Sequence, residues 1–419
     1  MNSRPAFVAI GLAVNLLVLA RGVILMLALD YAGLGLVALV QGVILFSGLM
    51  HFGLLNGGYR LLCSAGERTK QRIIDLAYTG FGLIAAMIAL GTAAFMIMSG
   101  SLYGDIAALA AIGGIATLLR SWMMNEMVAA GRFGSANLIN GISMAASLGV
   151  LAMLLPGWSD TAKADGAGVA VLSIVIQPML FAALALLSGA VMRPKAIRFS
   201  KRLAKVVFGA GFILFLTGIA IQAMSLLERA YVSAELGLEP LGRLYLAFLF
   251  LTLFQMVPNL VQQVFLPAIV AHWKARNAQG VAREMRQFFG LTLAYCAAAA
   301  LALWLLAEPF LALFLPAYAG DLHWVYLLTP GLIAFAVSAP FALSFNVVIQ
   351  YRWYLIAYGI GVAASVLILG TAWVLGTPLS LDAVVVVRSA IYAGMAGLLV
   401  LGWWQLSRAH SEFRFLGWR

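Results

Sequence analysis

Charged residues are scarce in this chain of 419 residues, and acidic residues are the scarcest. Only 10% of the residues are charged, 64% are hydrophobic, and 26 Lys and Arg stand against 15 Asp and Glu. Soluble domains carry about 25% charged residues, so this composition excludes a soluble globular protein. The net charge of +11 does not by itself predict nucleic-acid binding, because most of the positive charge lies in loops between apolar segments.

Motifs of catalytic and metal sites are also missing. The sequence contains no phosphate-binding loop, no H-E-x-x-H, no paired-cysteine motif and no G-x-S-x-G. Its two cysteines, Cys63 and Cys296, lie far apart in or beside apolar runs, as ordinary core residues do. We therefore expect no metal, no cofactor, no nucleic-acid partner and no enzymatic activity.

Long apolar windows dominate what is present. A membrane-spanning helix needs about 20 apolar residues, and only helices or closed barrels satisfy the backbone in lipid. The windows are too long for barrel strands, and the first is too long for a cleaved signal peptide. We therefore predict an all-α integral membrane protein with twelve transmembrane helices. The predicted spans lie near 6–29, 35–58, 73–99, 105–130, 134–156, 168–192, 206–234, 242–272, 288–315, 322–349, 353–376 and 384–407.

Basic residues alternate between loops in the way that fixes membrane orientation. Positive loops stay in the cytoplasm, and one set of alternate loops together with both ends of the chain holds 20 of the 26 Lys and Arg residues. We therefore expect both termini to be cytoplasmic. The opposite loops are mostly acidic and include Asp30, Asp105, Asp160, Lys163, Asp165, Glu235, Glu239, Arg243, Asp321, Asp382 and Arg388.

The chain also shows signs of an internal duplication around a basic midpoint. Leu29, Leu34 and Gly35 match Leu236, Leu241 and Gly242 at an offset of 207, which indicates two parallel halves. We predict an N-terminal six-helix bundle (1–192), a basic cytoplasmic connector (193–205), a C-terminal six-helix bundle (206–407) and a cytoplasmic tail (408–419). The connector is expected to act as the hinge between the bundles and to rest on anionic lipid headgroups.

Three arginines, Arg21, Arg120 and Arg229, fall inside predicted spans. A charge in the bilayer centre costs roughly 2.5–3.5 kcal/mol on insertion scales, so each needs a partner or a function. One interpretation is a cationic path that binds the phosphate oxygens of an anionic substrate. The other is neutralisation within the protein, with Glu126 as partner of Arg120 and Glu228 as partner of Arg21.

Polar side chains at helical spacing accompany these arginines. Gln222 and Ser225 share one helix face with Arg229. Such stripes either line a cavity, with Glu228 and Glu126 as coupling residues, or form hydrogen bonds between helices. His51 is expected to be a core histidine of the second span. The remaining stripes are Gln255, Asn259 and Gln262 on the eighth span and Asn140, Ser143 and Ser147 on the fifth.

Several segments resemble those of a known transporter family. They are the polar break 236–245, Val257-Pro258, 266–268 and 313–318. With twelve spans in two parallel halves, they are similar to polysaccharide-exporter flippases of the multidrug/oligosaccharidyl-lipid/polysaccharide (MOP) superfamily.

This resemblance implies a MATE-like pair of bundles around a central cavity. It also implies translocation of polyprenyl-diphosphate-linked oligosaccharide by alternating access for surface polysaccharide biosynthesis. Arg21 and Arg229 lie on the first and seventh spans, where diphosphate-binding residues are expected, and Arg120 is the third candidate. The implied partners are the lipid-linked oligosaccharide, membrane lipids and polysaccharide polymerase or export machinery.

Two alternatives remain open. A cation-coupled multidrug antiporter of the same superfamily needs an acidic, aromatic-lined cavity, and Glu228 supports it. A membrane-embedded glycosyltransferase or polymerase predicts a large outer loop or a sugar-nucleotide site, and the sequence has neither.

Overall fold

The computed structural model describes residues 4–63, 65–99, 104–153 and 166–413. Within these residues it contains fifteen α-helices, two short 3-10 helices and no strand. Twelve helical segments are long and apolar enough to cross a membrane, which confirms the predicted number of spans. The outer-loop residues Asp160, Lys163 and Asp165 and the tail residues Arg414 and Arg419 lie outside the described residues.

The helices follow the apolar windows closely. Their bounds are α1 Arg4–Ala28, α2 Tyr31–Gly48, α3 Leu54–Leu62, α4 Glu67–Ser99, α5 Gly104–Ala129, α6 Phe133–Ala152, α7 Gly166–Leu187, α8 Lys201–Glu235, α9 Leu238–Arg243, α10 Tyr245–Lys274, α11 Ala278–Phe314, α12 Leu322–Val337, α13 Ala339–Val348, α14 Arg352–Val374 and α15 Leu381–Ala409. The 3-10 helices are Pro316–Asp321 and Ser411–Phe413.

The chain forms two compact units. Unit 1 contains Ala20–Ala230, and unit 2 contains Arg4–Leu19 and the residues from Tyr231 onward. Helices α1 and α8 therefore each contribute residues to both units. The division into six-helix bundles at 1–192 and 206–407 stays a prediction.

The second predicted span is interrupted, and the interruption lies in unit 1. Helix α2 ends at Gly48 and α3 begins at Leu54, with Phe52 at φ +47° and Gly53 at φ +91° between them. His51 therefore lies in a turn, still buried, where its Nδ1 accepts the Gly53 N–H at 3.1 Å. The prediction of a satisfied core histidine is confirmed, although the span predicted to contain His51 is interrupted on either side of it.

Glycines bring the backbone of α3 against that of α8. A Cβ on Gly57 would lie 1.9 Å from the Val207 carbonyl oxygen, and one on Gly211 would lie 2.2 Å from the Gly53 carbonyl oxygen. Only residues without a side chain permit this approach, which is typical of packed membrane helices. The contact fixes the first part of α8 within unit 1.

In unit 2 a proline divides another predicted span. Helix α12 ends at Val337, and α13 begins at Ala339 with Pro340 in its first turn. Proline lacks the N–H that would continue the α12 ladder, so a new helix starts there. Helix α12 packs closely on α15, since a Cβ on Gly331 would lie 2.3 Å from the Ser389 carbonyl oxygen.

The connector (193–205) has no helical structure before Lys201, where α8 begins. Side chains of α4 hold its backbone: Asp75 Oδ1 accepts the Lys195 N–H at 2.8 Å, and Thr79 Oγ1 accepts the Arg198 N–H at 3.2 Å. Gln71 donates to the Arg193 carbonyl oxygen at 3.1 Å. These bonds attach the connector to unit 1.

Candidate functional site

Arg21 lies in the interior of unit 1, where α1 meets α6 and α7. Its side chain is buried, and its Nη1 donates to Gln177 Oε1 at 3.2 Å and to Ser147 Oγ at 3.5 Å. Ser147 in turn donates to the Ser173 carbonyl oxygen on α7 at 2.6 Å. Ser147 and Gln177 thus orient the Arg21 guanidinium from two helices.

Arg120 approaches the same region from α5. Its Nη2 donates to Asn140 Oδ1 on α6 at 2.8 Å, and its guanidinium carbon lies 5.6 Å from the centre of the Phe181 ring. In the described part of the chain its Nε has no hydrogen-bond partner. Asn140 and Ser147 lie on the same face of α6, about two turns apart, so this helix contacts both guanidinium groups.

These five residues form one polar group in the apolar interior, which we call the arginine cluster: Arg21, Arg120, Asn140, Ser147 and Gln177. Four helices supply it, and amide and hydroxyl oxygens accept its described hydrogen bonds. Two guanidinium groups in an apolar surrounding supply positive charge and N–H donors for an anion. Guanidinium groups bind the paired oxygens of phosphate well, so the cluster suits a phosphate-bearing ligand.

Arg229, the third predicted arginine, contacts α2. Its Nη1 donates to the Ala38 carbonyl oxygen, and its Cδ would lie 3.1 Å from a Cβ on Gly42. Glu228 and Ser225 on the same helix are buried, and Gln222 is half-buried. The four polar residues predicted on this helix are therefore all buried or half-buried.

Glu126 does not neutralise Arg120. Its Oε1 accepts the backbone N–H of Met192, just before the connector, and the charge of Arg132 also acts on it. Residues six apart on a helix point about 240° apart, so Glu126 and Arg120 face different directions on α5. The pairing predicted for them is wrong, and Glu126 belongs to the end of unit 1 that holds the connector.

The stripe predicted on the eighth span lies in unit 2, on α10. Asn259 is exposed, while Gln255 and Gln262 are half-buried. Gln255 Nε2 is buried without a hydrogen-bond partner among the described residues. The three side chains of this stripe therefore differ in their exposure to solvent.

Two polar residues inside spans were not predicted as site residues. Gln177 precedes Pro178 in α7, and a carboxamide in so apolar a helix was the available signal. Arg388, assigned to an outer loop, is instead buried within α15, where Nε and Nη2 donate to the Tyr392 hydroxyl at 3.2 and 2.8 Å. The rings of Phe248 and Tyr392 lie 5.7 and 5.2 Å from its guanidinium. Unit 2 thus holds a fourth arginine inside a span.

No protein-family model and no curated protein matches the sequence. Among solved structures, an inward-facing multidrug resistance MATE family transporter of the MOP superfamily is similar at a TM-score of 0.70 and 13% identity, over 97% of this chain and 98% of that chain. The lipid II flippase MurJ in an inward closed conformation is similar at 0.71 and 14%, over 95% and 87%.

An outward-facing MATE family transporter gives a TM-score of 0.59 at 15% identity, over 96% and 94% of the two chains. At these identities the likeness establishes the fold. The predicted MATE-like, all-α, twelve-span fold is therefore confirmed, and the chain is a multi-pass membrane protein.

Proposed function

We propose that this protein is a flippase that moves polyprenyl-diphosphate-linked oligosaccharide across the bacterial inner membrane by alternating access. The observation that carries the proposal is the arginine cluster, in which polar side chains of α6 and α7 hold the guanidinium groups of Arg21 and Arg120 within unit 1. The shared fold of a lipid II flippase supports the same class of transport.

Electrostatics explains why such a substrate needs this site. A diphosphate carries about two negative charges, and each charge costs several kcal/mol in hydrocarbon. Arg21 and Arg120 offset that cost when the headgroup enters. The polyprenyl chain is apolar and stays in the bilayer.

The residues of the site then have distinct roles. Arg120, whose Nε lacks a hydrogen-bond partner in the described region, contributes a free donor to a phosphate oxygen. Arg21 and Arg229 contribute further guanidinium donors, while Asn140, Ser147 and Gln177 orient Arg120 and Arg21. In this proposal polar side chains line the substrate path within each unit: Gln222 and Ser225 in unit 1, and Gln255, Asn259 and Gln262 in unit 2. Glu228 and Glu126 couple transport to the driving gradient.

The cellular setting belongs to the same proposal. Both termini lie in the cytoplasm, and polysaccharide polymerase or export machinery takes over the translocated lipid-linked sugar. Binding of the diphosphate and transfer between leaflets involve no covalent step, so the proposal includes no catalytic residue.

The second candidate is a cation-coupled multidrug antiporter. Glu228 is buried within α8, and a buried carboxylate is a group that can bind a coupling cation. The structural likeness to MATE transporters fits this candidate as well. It predicts transport of cationic compounds that depends on Glu228 and not on Arg120.

The test is reconstitution in liposomes with a fluorescent polyprenyl-diphosphate sugar, followed by measurement of its transfer between leaflets. We expect Arg120→Gln and Arg21→Gln to reduce the initial rate at least tenfold, since each removes a positive charge while a polar side chain remains. Arg243→Gln is the matched control, because Arg243 is exposed and its described ion pair is with Glu239, one turn away on the same helix.

The cargo provides a second control. A glycolipid without phosphate should move no faster with the wild type than with either cluster variant. Wild-type rates for the diphosphate cargo in both Arg120→Gln and Arg21→Gln would exclude the proposed site. Transport of cationic dyes that is lost in Glu228→Gln but kept in Arg120→Gln would instead establish the antiporter.

A further inference from the structure

We propose that the connector, residues 193–205, is a binding site for the headgroups of anionic phospholipids. Its sequence holds six basic residues and no acidic one: Arg193, Lys195, Arg198, Lys201, Arg202 and Lys205. It follows α7, which ends at Leu187, and its residues from Lys201 onward form the start of α8. Because both helices are candidate spans, the connector lies at the level where helices leave the bilayer.

The backbone of the connector is fixed, although it forms no helix before Lys201. Its Lys195 and Arg198 N–H groups bond to Asp75 and Thr79 on α4, and Gln71 binds the Arg193 carbonyl oxygen. Both ends are also anchored by packing. Residues 190 and 191 before the connector and Ala204 within it are buried in the core of unit 1.

This anchoring leaves most connector side chains directed outward. The Asp75 carboxylate bonds to main-chain N–H, so it accepts no described hydrogen bond from a basic side chain of the connector. Lys195, Arg198, Lys201 and Arg202 are exposed. The segment therefore presents several cations from a rigid backbone, so little backbone entropy is lost when they bind phosphate groups.

Two large apolar side chains interrupt the cations and identify the partner as a lipid. Ile197 is 93% exposed and Phe199 is 55% exposed. They alternate with Arg198, and apolar side chains among basic ones insert into the boundary between headgroups and acyl chains. A soluble phosphate ion would use the cations alone, whereas a phospholipid uses both groups.

The first test measures lipid binding with the full chain in detergent, by native mass spectrometry against phosphatidylglycerol and phosphatidylcholine. Each cation that contacts the headgroup of the bound lipid contributes about fivefold to the affinity. The triple variant Lys195→Gln/Arg198→Gln/Arg202→Gln should therefore lose at least tenfold in phosphatidylglycerol affinity and keep its affinity for phosphatidylcholine. Glycerol phosphate, which lacks acyl chains, should not compete.

The matched control removes three exposed cations elsewhere: Lys274→Gln/Arg276→Gln/Arg283→Gln. It should change the affinity by less than threefold. Equal losses in both triple variants, or no preference for phosphatidylglycerol in the wild type, would overturn the proposal. Unchanged melting temperatures establish that both variants are folded.

The second test locates the apolar side chains directly. In a Cys63→Ala/Cys296→Ala background, nitroxide labels at Ile197→Cys and Phe199→Cys are compared with one at Arg276→Cys in phosphatidylglycerol bilayers. The first two should collide more with oxygen and less with a water-soluble nickel complex than the third. Equal nickel accessibility at all three sites would show that the connector does not insert.

Discussion

Arg120 shows at the residue scale how a half-buried cation in an apolar helix depends on one neutral acceptor. Its Nη2 donates to Asn140 Oδ1 at 2.8 Å, and the Phe181 ring covers its guanidinium. A charged donor that loses its partner in the interior keeps its desolvation cost, about 1–3 kcal/mol or more. The amide of Asn140 is therefore a positioning group for Arg120.

We expect Asn140→Leu to lower the free energy of unfolding by about 1–3 kcal/mol, because it strands the Arg120 donor. The melting temperature in detergent measures this change. Ser143→Ala on the same helix is the control, since Ser143 Oγ bonds only to the Ile139 carbonyl oxygen of its own helix among the described contacts. An equal melting temperature for the two variants would contradict the role given to Asn140.

His51 gives a pH-dependent prediction. Burial lowers the pKa of His51 from 6.5 to about 4, and its Nδ1 accepts the Gly53 N–H only while the ring is neutral. A depressed histidine pKa means that the folded protein disfavours protonation, so stability is full above pH 6.5 and falls as the pH drops towards 4. The loss by pH 4 is about 3 kcal/mol.

Unfolding measured from pH 7 to pH 4 tests this assignment. His51→Asn keeps a hydrogen-bond acceptor without a titratable ring, so its stability should fall less over that range. Parallel pH profiles for the wild type and His51→Asn would show that other groups cause the loss.

At the scale of elements, the sequence predicted which segments are helical but not where two of them break. Hydropathy shows how long an apolar segment is, but it does not show where the helix within that segment breaks. The apolar run through 35–58 continues across the turn at Phe52 and Gly53. That turn exists because α3 packs its glycines on α8, which is a tertiary contact without a local signal. Pro340 did give a signal, as a proline inside the predicted span 322–349.

The glycine contact leads to a matched pair of variants on α8. Gly211→Ala places a methyl group 2.2 Å from the Gly53 carbonyl oxygen, and backbone cannot move aside as a side chain can. We expect a loss of about 2–3 kcal/mol, measured as a lower melting temperature. A Cβ on Gly209 meets no atom within 4 Å, so Gly209→Ala should stay within about 0.5 kcal/mol. Similar values for the two would show that α3 and α8 do not touch through their backbones.

For the candidate site, the sequence identified the cations but not their neighbours. Arg21, Arg120 and the α6 residue Asn140 stood out because polar residues are rare in these spans. Which side chains meet depends on how α1, α5, α6 and α7 pack, so the contact of Arg21 with Gln177 was not predictable. Arg388 was assigned to an outer loop although the predicted span 384–407 already contained it, so the loop assignment was wrong and the span was not.

For the whole molecule, the charge of the loops predicts which side of the membrane each loop faces, and cysteine labelling can test this. In a chain without Cys63 and Cys296, cysteines at Lys70, Arg276 and Arg408 should react with an impermeant reagent only when the cytoplasmic side is accessible. Cysteines at Glu239 and Asp382 should react only from the opposite side, because positively charged loops stay in the cytoplasm. Labelling of positions 239 and 276 from one side would refute the predicted topology.

The attachment of the connector through main-chain groups has a consequence for how this protein can change over time. Substitutions at Ile197, Arg198 or Phe199 leave the bonds to Asp75 and Thr79 in place, unless a proline removes the donor at residue 198. The charge and size of these side chains can therefore vary with the lipid composition of the membrane, while the helices that hold the connector backbone keep their arrangement. Exchanging connector side chains between such proteins is a route to adapting a transporter to a foreign membrane without redesigning its interior.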